Sequence, residues 1–341
     1  MTSTLTWALL GASDIAATRM IGVMKERGDT LAMVLSSSPD RGATFSGIHG
    51  IAASTTSLDE ALSPQVDAVY ISTTNERHHE MALAAITAGK HVLCEKPLAL
   101  TVQDAQQMID AAHNAGVVLA TNHHLPGSPL HSRTRDLVSR GAIGDLLAAR
   151  VMHAVTLPER LRGWRVDADD DAGGGVIMDI TCHDASVLNP LFGGLPDVVT
   201  AIATKQAPWG RGGYDGVMTV LGYPSPDGKL RLAQTHDAFT ITHDTTRLEV
   251  MGTSGLIRVT DAMTQDAAGR IEIVTEAGTE TIVIDNSENL YRIVLDSFAS
   301  AIEGTGSPTA DGLDGLNALR VALAAVESAR SGNSSVSIEH T

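Results

Sequence analysis

Cysteine and aromatic residues are scarce in this sequence. Aromatic residues make up 3% of the 341 residues, and two cysteines occur, Cys94 and Cys182. Their spacing fits neither a disulfide framework nor a zinc site, so we predict two buried thiols in a reducing cytoplasm. The sequence also lacks an uncharged apolar window of about 18 residues and an N-terminal basic region followed by an apolar run. These absences predict a chain that is neither exported nor embedded in a membrane.

Basic residues are also few. Lys and Arg number 24 against 40 Asp and Glu, which gives a formal net charge of −16. Such a chain repels phosphate backbones, so we exclude nucleic acids and anionic membrane surfaces as partners. An anionic cofactor must therefore find local positive charge. No set of side chains has the spacing of metal ligands, so we predict no metal.

Apolar strands alternate with helical patterns in the first third of the chain. Strands are predicted at residues 5–10, 30–35, 66–71, 92–94 and 117–120, and helices at 16–25, 78–88 and 101–113. Thr101 and Asp104 form a capping box at the start of the last of these helices. The repeated strand and helix predict a parallel, doubly wound sheet in a domain that spans residues 1–124.

The rest of the chain, residues 125–341, follows a different pattern. Alternating segments at residues 146–155, 198–204, 216–221, 229–236, 246–251, 255–260, 271–275 and 281–285 are separated mostly by short turns. Short turns join antiparallel neighbours, so we predict a large, mostly antiparallel open sheet flanked by helices. Helical patterns occur at residues 129–140, 288–303 and 313–330. We predict a long polar loop at residues 157–175 and a loosely held tail at 331–341.

A glycine turn follows the first strand. Gly11, Ser13 and Ala16 stand where a dinucleotide fingerprint has its three glycines, between a strand and a helix. Phosphate can approach the backbone N–H groups at the start of such a helix. The fingerprint is incomplete, and a plain turn would give the same pattern.

The second strand ends in serines. NAD enzymes usually place Asp or Glu here, roughly 20 residues past the glycines, to bind the ribose 2′-hydroxyl. Ser36 can instead donate to a 2′-phosphate and Arg41 can pair with it, which favours NADP. A serine-rich turn with a surface arginine is the alternative, and Asp40 weighs against a bound phosphate.

Polar groups also follow the strands at residues 66–71 and 92–94. Ser72–Asn75 follow the first, and Glu95, Lys96 and Pro97 follow the second. Open α/β sheets bind ligands at these strand ends. Proline restricts Lys96 to extended geometry and directs its ammonium away from the strand, and the Lys96–Pro97 bond could be cis. A solvated charge pair at a strand end is the alternative.

A second candidate site lies near residue 180. Asp179 and His183 are four residues apart in a helical segment that starts at Gly175, so they share one face. A histidine beside a carboxylate is favoured in its charged form, which suits a proton donor. A solvated pair on a surface helix would have the same spacing.

Four motifs together resemble the Gfo/Idh/MocA family, the glucose-fructose oxidoreductase and inositol dehydrogenase group of nicotinamide-dependent enzymes. They occupy residues 11–16, 73–78, 88–98 and 173–184, in the family's order. Residues 121–125 and 163–165 resemble more narrowly the bacterial members that reduce 1,5-anhydro-D-fructose. The resemblance implies a Rossmann-type dinucleotide-binding domain at 1–124 and a substrate-binding α+β domain at 125–341.

The resemblance also implies roles for individual residues. The family's catalytic lysine falls on Lys96, and its Asp and His pair falls on Asp179 and His183. The cofactor-binding positions, from the patterns above and from the resemblance together, are Gly11, Ala12, Ser13, Asp14, Ile15, Ala16, Ser36, Ser37, Arg41, Ser72, Thr73, Thr74, Asn75, His78, Glu95, Lys96, Asn122, Trp164, Arg165 and Tyr291. The remaining histidines, including His131 and His153, are predicted to be structural.

The function implied is hydride transfer from NADPH to the ketone of 1,5-anhydro-D-fructose or a related sugar dicarbonyl. An NAD(P)-dependent dehydrogenase of inositol or another polyol, working in the oxidative direction, is the alternative among enzymes. A nucleotide-binding sensor without turnover is the alternative of another class. The oligomeric state stays open between a monomer and a homo-oligomer formed through the C-terminal sheet.

Overall fold

The protein is described from a computed structural model, which covers residues 3–285 and 288–340. It divides into two compact units: residues 1–124 with 291–316, and residues 125–290 with 317–341. Met1 and Thr341, the outer bounds of the two predicted domains, lie outside the described residues. The assignment of these domains to cofactor and substrate stays a prediction. No helix in the described ranges is long and apolar enough to cross a membrane.

The first unit is built on a six-stranded parallel sheet. Its strands are β1 Thr6–Leu10, β2 Thr30–Leu35, β3 Ala53–Thr55, β4 Ala68–Ile71, β5 His91–Cys94 and β6 Leu119–Thr121. Their order, β3-β2-β1-β4-β5-β6, reverses direction at β1. Ligands bind at such a switch point, outside the carboxyl ends of the strands. The predicted doubly wound sheet is confirmed.

Helices connect these strands. They are α1 Ile21–Arg27, α2 Pro39–His49, α3 Leu58–Ala61, α4 His78–Thr87 and α5 Val102–Ala115. The predicted cap of α5 is present, because Thr101 Oγ1 accepts a hydrogen bond from the backbone N–H of Asp104 at 3.0 Å. Helix α2 was not predicted. Ser38 caps it and Pro39 occupies its first turn, which is the usual start of a helix rather than a simple serine-rich turn.

A nine-stranded sheet forms the second unit. Its strands are β7 Leu146–Ala154, β8 Val198–Thr204, β9 Gly216–Pro224, β10 Leu230–Ala238, β11 Arg247–Gly252, β12 Gly255–Thr260, β13 Gly269–Thr275, β14 Gly278–Ile284 and β15 Val336–Ser337. The order is β14-β13-β12-β11-β7-β10-β9-β8-β15. All neighbours are antiparallel except β7 and β10. The predicted mostly antiparallel sheet is confirmed.

The remaining helices are α6 Pro129–Ser139, α7 Trp164–Asp167, α8 Cys182–Phe192, α9 Leu290–Ile302 and α10 Gly312–Arg330. In the second unit, α8 packs on β7 and α6 packs on β13. Within α10, the Ser328 hydroxyl accepts a hydrogen bond from the backbone N–H of Ala201 in β8. Helices therefore cover one face of the sheet.

Two predictions about irregular segments were wrong. Residues 157–175 are not one long loop, because they contain α7 and two 3-10 turns, Glu159–Leu161 and Asp170–Ala172. The described part of the tail is held by β15, whose Val336 pairs with Val199 of β8. Short polar segments like these carry little periodicity, so local sequence gives no sign of the partners that order them.

The core of the first unit is formed by large side chains on the central strands. Trp7 and Tyr70 are fully buried, and the ring of Trp7 lies 5.5 Å from that of Phe298 on α9. Both cysteines are buried as free thiols, as predicted. The core therefore fixes the inner ends of β1, β4 and β5, and leaves their carboxyl ends to carry polar groups.

Candidate functional site

The glycine turn after β1 is shaped by a close backbone approach. Gly11 has φ of +126°, and a Cβ there would lie 2.9 Å from the carbonyl oxygen of Ser72. Only glycine is compatible with that conformation and distance. Ser13 Oγ donates to Ser72 Oγ at 2.7 Å and accepts from the backbone N–H of Ala16 at 3.1 Å. The Ser13 hydroxyl thus ties the turn to the end of β4.

The helical segment after this turn contains a π-helical turn. It begins at Asp14, passes through Ala16–Met20 as a π-helix and continues as α1. Ala12 and Ala16 are buried, and Asp14 is exposed. π-Helical turns inside helices occur frequently at functional sites. The predicted turn residues therefore lie where the sequence analysis placed them, between a strand and the start of a helix.

The end of β2 carries a buried hydroxyl. Ser36 is 7% exposed, and within the described residues its Oγ has no hydrogen-bond partner. Ser37 is exposed. Arg41, in α2, donates from Nη2 to the carbonyl oxygen of Ala12 at 2.6 Å, so its guanidinium lies against the glycine turn. A buried donor without a partner is costly, and a ligand oxygen would satisfy it.

Beyond β4, one histidine joins two strand-end segments. Thr73 and Thr74 are partly buried, and Asn75, which starts a 3-10 turn, is buried. His78 is fully buried, with Nδ1 2.9 Å from the carbonyl oxygen of Pro97 and Nε2 3.4 Å from that of Thr73. Burial lowers the pKa of His78. Its ring thus holds the segment after β5 against the segment after β4.

The Glu95 carboxylate is held from two strands. Its Oε1 accepts from the hydroxyl of Tyr70 at 2.6 Å and from the side-chain amide of Asn122 at 2.6 Å. Lys96 follows, partly exposed, and the Lys96–Pro97 bond is cis. Glu95 and Asn122 are predicted site residues, whereas Tyr70 was not predicted, because its place in the apolar strand β4 is that of an ordinary core residue.

Two further histidines follow β6. His123 is fully buried, and its burial and the positive charge of Lys96 lower its pKa to about 3. His124 stacks on Tyr291, with ring centroids 5.0 Å apart. Tyr291 is 2% exposed. The ring of Tyr291 therefore packs within the first unit, and its predicted contact with a cofactor stays a prediction.

In the second unit, a run of glycines precedes the helix that carries Asp179 and His183. A Cβ on Gly174 would lie 2.0 Å from the carbonyl oxygen of Ala168, and Gly175 has φ of +75°. The backbone of residues 173–175 therefore packs directly against the segment that follows α7. This contact fixes where the helix begins.

The helix starts at Gly175, as predicted, but it is not a regular α-helix. Residues Ile177–Thr181 form a π-helical turn that runs into α8. Asp179 is partly buried and His183 is 8% exposed. The wider turn changes the direction of the side chains that follow it relative to a regular helix. The four-residue spacing of Asp179 and His183 implied that both side chains lie on one face of a regular helix. The π-helical turn modifies that arrangement.

Trp164 and Arg165 lie in α7 and accompany Asp179. The Arg165 guanidinium lies over the Trp164 ring, 4.8 Å from its centroid. Arg165 Nε is 3.6 Å from Asp179 Oδ1, and the Asp179 side chain is 12% exposed. The structure thus brings together three of the predicted site residues of this unit. The ion pair was not predicted, because the two residues belong to different elements.

A group of buried ionisable side chains next to His183 was also missed. The His153 ring lies 6.3 Å from that of His183, and His153 Nδ1 is 2.7 Å from Asp184 Oδ1. Asp184 and Asp237 are both fully buried, and burial and the neighbouring Asp184 raise the pKa of Asp237. Burial raises the pKa of Asp184 to about 7. The signal for this group in the sequence was the presence of acidic residues within an apolar helix and an apolar strand.

Among the residues that the structure describes, no group of three or more His, Cys, Asp and Glu side chains could hold a metal ion. A dinucleotide fits better. The end of β2 supports a bound dinucleotide, because it carries donors that an anionic group requires: the Ser36 hydroxyl, which has no partner within the described residues, and Arg41 of α2.

Two family models match the chain. Residues 5–123 match the oxidoreductase family Gfo/Idh/MocA, NAD-binding Rossmann fold. Residues 135–338 match the C-terminal alpha/beta domain of the same family. Together the two matches cover most of the chain. The two matched domains follow each other along the chain in the same order as the two units.

Two curated relatives match over almost their whole length. The chain is 45% identical to 1,5-anhydro-D-fructose reductase of Ensifer adhaerens, over 96% of each chain. It is 28% identical to D-xylose 1-dehydrogenase (NADP(+)) 2 of Haloferax volcanii, over 96% of this chain and 98% of the relative.

Solved structures share the fold. Aldose-aldose oxidoreductase from Caulobacter crescentus, complexed with glycerol, superposes with a TM-score of 0.84 at 27% identity, over 98% of this chain and 100% of that one. Levoglucosan dehydrogenase in complex with NADH and levoglucosan gives a TM-score of 0.86 at 21% identity, over 99% and 100% of the two chains. At that identity the second likeness concerns the fold alone.

Proposed function

This chain belongs to the Gfo/Idh/MocA oxidoreductase family, and we propose that it reduces the ketone of 1,5-anhydro-D-fructose or a closely related sugar dicarbonyl with NADPH. The observation that carries the substrate proposal is the 45% identity, along 96% of the chain, to a relative with that named activity. The polar strand ends of the first unit and the Trp164, Arg165 and Asp179 group of the second support it.

The proposed chemistry needs a hydride and a proton. When bound, the nicotinamide supplies the hydride for the ketone carbon. His183 donates a proton to the oxygen of that ketone, and Lys96 stabilises the negative charge that develops there. General acid catalysis of this kind contributes about 10² to 10⁴ in rate. The carbonyl thus becomes a hydroxyl, and His183 is left neutral.

Asp179 is the proposed orienting residue. Its carboxylate is held by Arg165 at 3.6 Å and is largely screened from water, so it presents a fixed acceptor to a substrate hydroxyl or to the His183 imidazole. Trp164 supports the guanidinium from its ring face. An apolar ring beside a fixed ion pair suits a sugar, which offers C–H faces and hydroxyl edges.

The proposed cofactor is NADP(H). The first unit has the NAD(P)-binding Rossmann fold of the family. Ser36 offers a buried hydroxyl that no described residue hydrogen-bonds, and Arg41 lies against the glycine turn, so both suit a 2′-phosphate. Binding by the remaining predicted positions, from Gly11 to Tyr291, is part of the same proposal. Glu95 and His78 would act through the loops they hold.

A cofactor oxidation assay tests the activity. The purified chain is mixed with NADPH or NADH and a panel of sugar ketones, and nicotinamide absorbance is followed. We expect oxidation of NADPH with 1,5-anhydro-D-fructose. Faster turnover of NADP⁺ with inositol or another polyol would favour the polyol dehydrogenase, and cofactor binding without turnover would favour a sensor. A preference for NADH would contradict the roles of Ser36 and Arg41.

The outer face of the second sheet supports self-association. Apolar side chains on β8, β9 and β10 are exposed: Ile202, Met218, Val220, Leu230 and Leu232. Ile202 and Met218 are directly paired, so these side chains form one patch. Exposed patches of this kind mark interaction sites. We propose that a second copy of this chain covers it.

Sedimentation analysis tests this proposal. Met218→Glu is expected to convert an oligomer into monomers. Val283→Glu, at an exposed apolar residue on β14, is the matched control and should leave the oligomer intact. A wild-type chain that sediments as a monomer would refute the proposal.

A cytoplasmic location, for which the two buried thiols argue, stays a prediction.

A further inference from the structure

A cluster of buried titratable side chains lies beside His183, and the chemistry proposed above does not use it. His153 on β7 contacts His183 with 6.3 Å between ring centroids and 46° between the ring planes. The same ring is 2.7 Å, through Nδ1, from Asp184 Oδ1. Because Asp184 directly follows His183 in the chain, this contact also holds the backbone of the proposed proton donor.

Two buried carboxyl groups interact in this cluster. Asp184 and Asp237 are fully buried, and burial and the neighbouring Asp184 raise the pKa of Asp237. Within the described residues, Asp184 Oδ2 and Asp237 Oδ1 have no hydrogen-bond partner. Asp237 Oδ2 accepts from the hydroxyls of Thr181 at 2.6 Å and Thr235 at 3.2 Å. Two neighbouring carboxyl groups away from water do not both ionise readily, so we expect the pair to keep one proton and to carry one negative charge.

His153 is the group that balances this charge. A negative charge buried away from water is stable only beside an opposite charge. Of the other titratable groups around the cluster, His131 on α6 is neutral at pH 7, because burial lowers its pKa to about 4. Burial raises the pKa of Tyr223 on β9, so that phenol is neutral as well. Asp179 and Arg165, near His183, form their own ion pair.

We propose that His153, held in its charged form by the Asp184 and Asp237 pair, is a positioning residue that weakens the hold of His183 on its proton. The proposal rests on His183 as the proton donor of the proposed reaction. A positive charge at this ring separation lowers a neighbouring pKa by about two units at an effective dielectric constant of about 20. The nearby negative charge of Asp184 reduces this to about one unit.

Titration of the His183 ring tests the coupling directly. Histidine ring nitrogens are labelled with ¹⁵N in the full chain, and the His183 signal is assigned with His183→Asn. In His153→Gln the positive charge is absent. In Asp184→Asn the counter-ion is absent, so the buried His153 becomes neutral. We expect Asp184→Asn, which removes both charges, to raise the pKa of His183 by about one unit, and His153→Gln, which leaves the negative charge of Asp184, to raise it by about two units. The high-pH limb of kcat/KM for ketone reduction should move upward by the same amount.

Two other substitutions separate coupling from loss of structure. In Asp237→Asn the amide supplies the shared proton permanently, so the shift should be much smaller than in Asp184→Asn. Asp215→Asn removes another buried carboxylate of the same unit, which accepts from the backbone N–H groups of Gln206 and Ala207, and should lower the Tm without moving the His183 titration.

An unchanged His183 titration in folded His153→Gln would overturn the proposal, as would equal shifts in all four variants. The ring titration needs no substrate or turnover. If His183→Asn retained full activity, the proposed function of His183 would fail while the measured coupling would still stand.

Discussion

The two units bury ionisable side chains of opposite kinds at their candidate sites. In the first unit, His78 and His123 are fully buried and their pKa values are lowered, so both are neutral at pH 7. In the second unit, Asp184 and Asp237 are fully buried and their pKa values are raised. The buried histidines of the first unit therefore add no positive charge near Lys96, whereas the buried acids of the second unit hold protons more tightly than exposed acids do.

The difference reflects how each site is assembled. In the first unit, the polar groups lie at or just after the carboxyl ends of neighbouring parallel strands. They come together because these strand ends lie at the same edge of the sheet. Tyr70 of β4, Glu95 after β5 and Asn122 after β6 illustrate this. In the second unit, one helix places Asp179, His183 and Asp184 against groups on α7, β7 and β10. Its site depends on packing between elements distant in sequence.

The largest expected effect comes from removing one proposed catalytic group from each unit. Lys96→Met and His183→Asn should each lower kcat by about 10² to 10⁴, because each removes a charge or proton donor from the developing oxyanion. Cofactor affinity, measured by fluorescence titration with NADPH, should change little for His183→Asn. Normal turnover in either variant would remove the proposed role of that residue.

The double variant sharpens the comparison between the units. If Lys96 and His183 act on the same oxygen, their effects are not additive, and the double variant loses less than the product of the two single losses. Multiplicative losses would indicate that the two residues act on different atoms or steps.

Sequence reasoning identified the first unit better than the second. Strand ends at Ser36, Asn75 and Glu95 follow from apolar runs and turn residues, which are local signals. The motif at residues 173–184 also located the start of the helix at Gly175. Local patterns, the parallel strand order and motif spacing were therefore enough for the architecture.

The missed features have a common physical cause. The π-helical turns at Ala16–Met20 and Ile177–Thr181 and the ion pair between Arg165 and Asp179 depend on tertiary packing. His153 was predicted to be structural because a lone histidine in a strand carries no sign of its partner. Burial of Asp184 and Asp237 opposite each other is decided by side-chain packing between a helix and a sheet, which periodicity does not encode.

Acid sensitivity should come from the buried histidines. His123 has a pKa of about 3 in the folded chain, below the value of about 6.5 for an unfolded histidine, so its contribution is present above pH 6.5 and is lost as the pH falls toward 3. His123→Gln should reduce the loss of unfolding free energy between pH 6.5 and 4 by about 3 kcal/mol. Chemical denaturation at several pH values measures it.

The control for this prediction is an exposed histidine. His113→Gln, on α5, removes an exposed imidazole and keeps the buried ones. It should leave the pH dependence of the unfolding free energy unchanged. Equal pH dependence in wild type and His123→Gln would show that His123 does not remain neutral in the folded chain.

The acid pair in the second unit should give the opposite pH dependence. The pKa of Asp237 is raised by burial and by the neighbouring Asp184, so its stabilisation is fully present below the unfolded pKa of about 4 and falls as the pH rises. The amide in Asp237→Asn cannot ionise. Between pH 5 and 8, the unfolding free energy of this variant should therefore fall by about 1 to 2 kcal/mol less than that of the wild type. A steeper decline in the variant would contradict a proton held on this pair.

The smallest effects should come from two buried tyrosines, one in each unit. Tyr70→Phe removes a hydroxyl that donates to Glu95, and Tyr223→Phe removes one that donates to Asn189 at 2.9 Å. Each should lower the unfolding free energy by about 1 kcal/mol. Only Tyr70→Phe should also lower kcat/KM, by a few fold, because Glu95 directly precedes Lys96. Equal kinetic losses in the two variants would mean that general destabilisation, rather than the position of the strand end that carries Lys96, controls turnover.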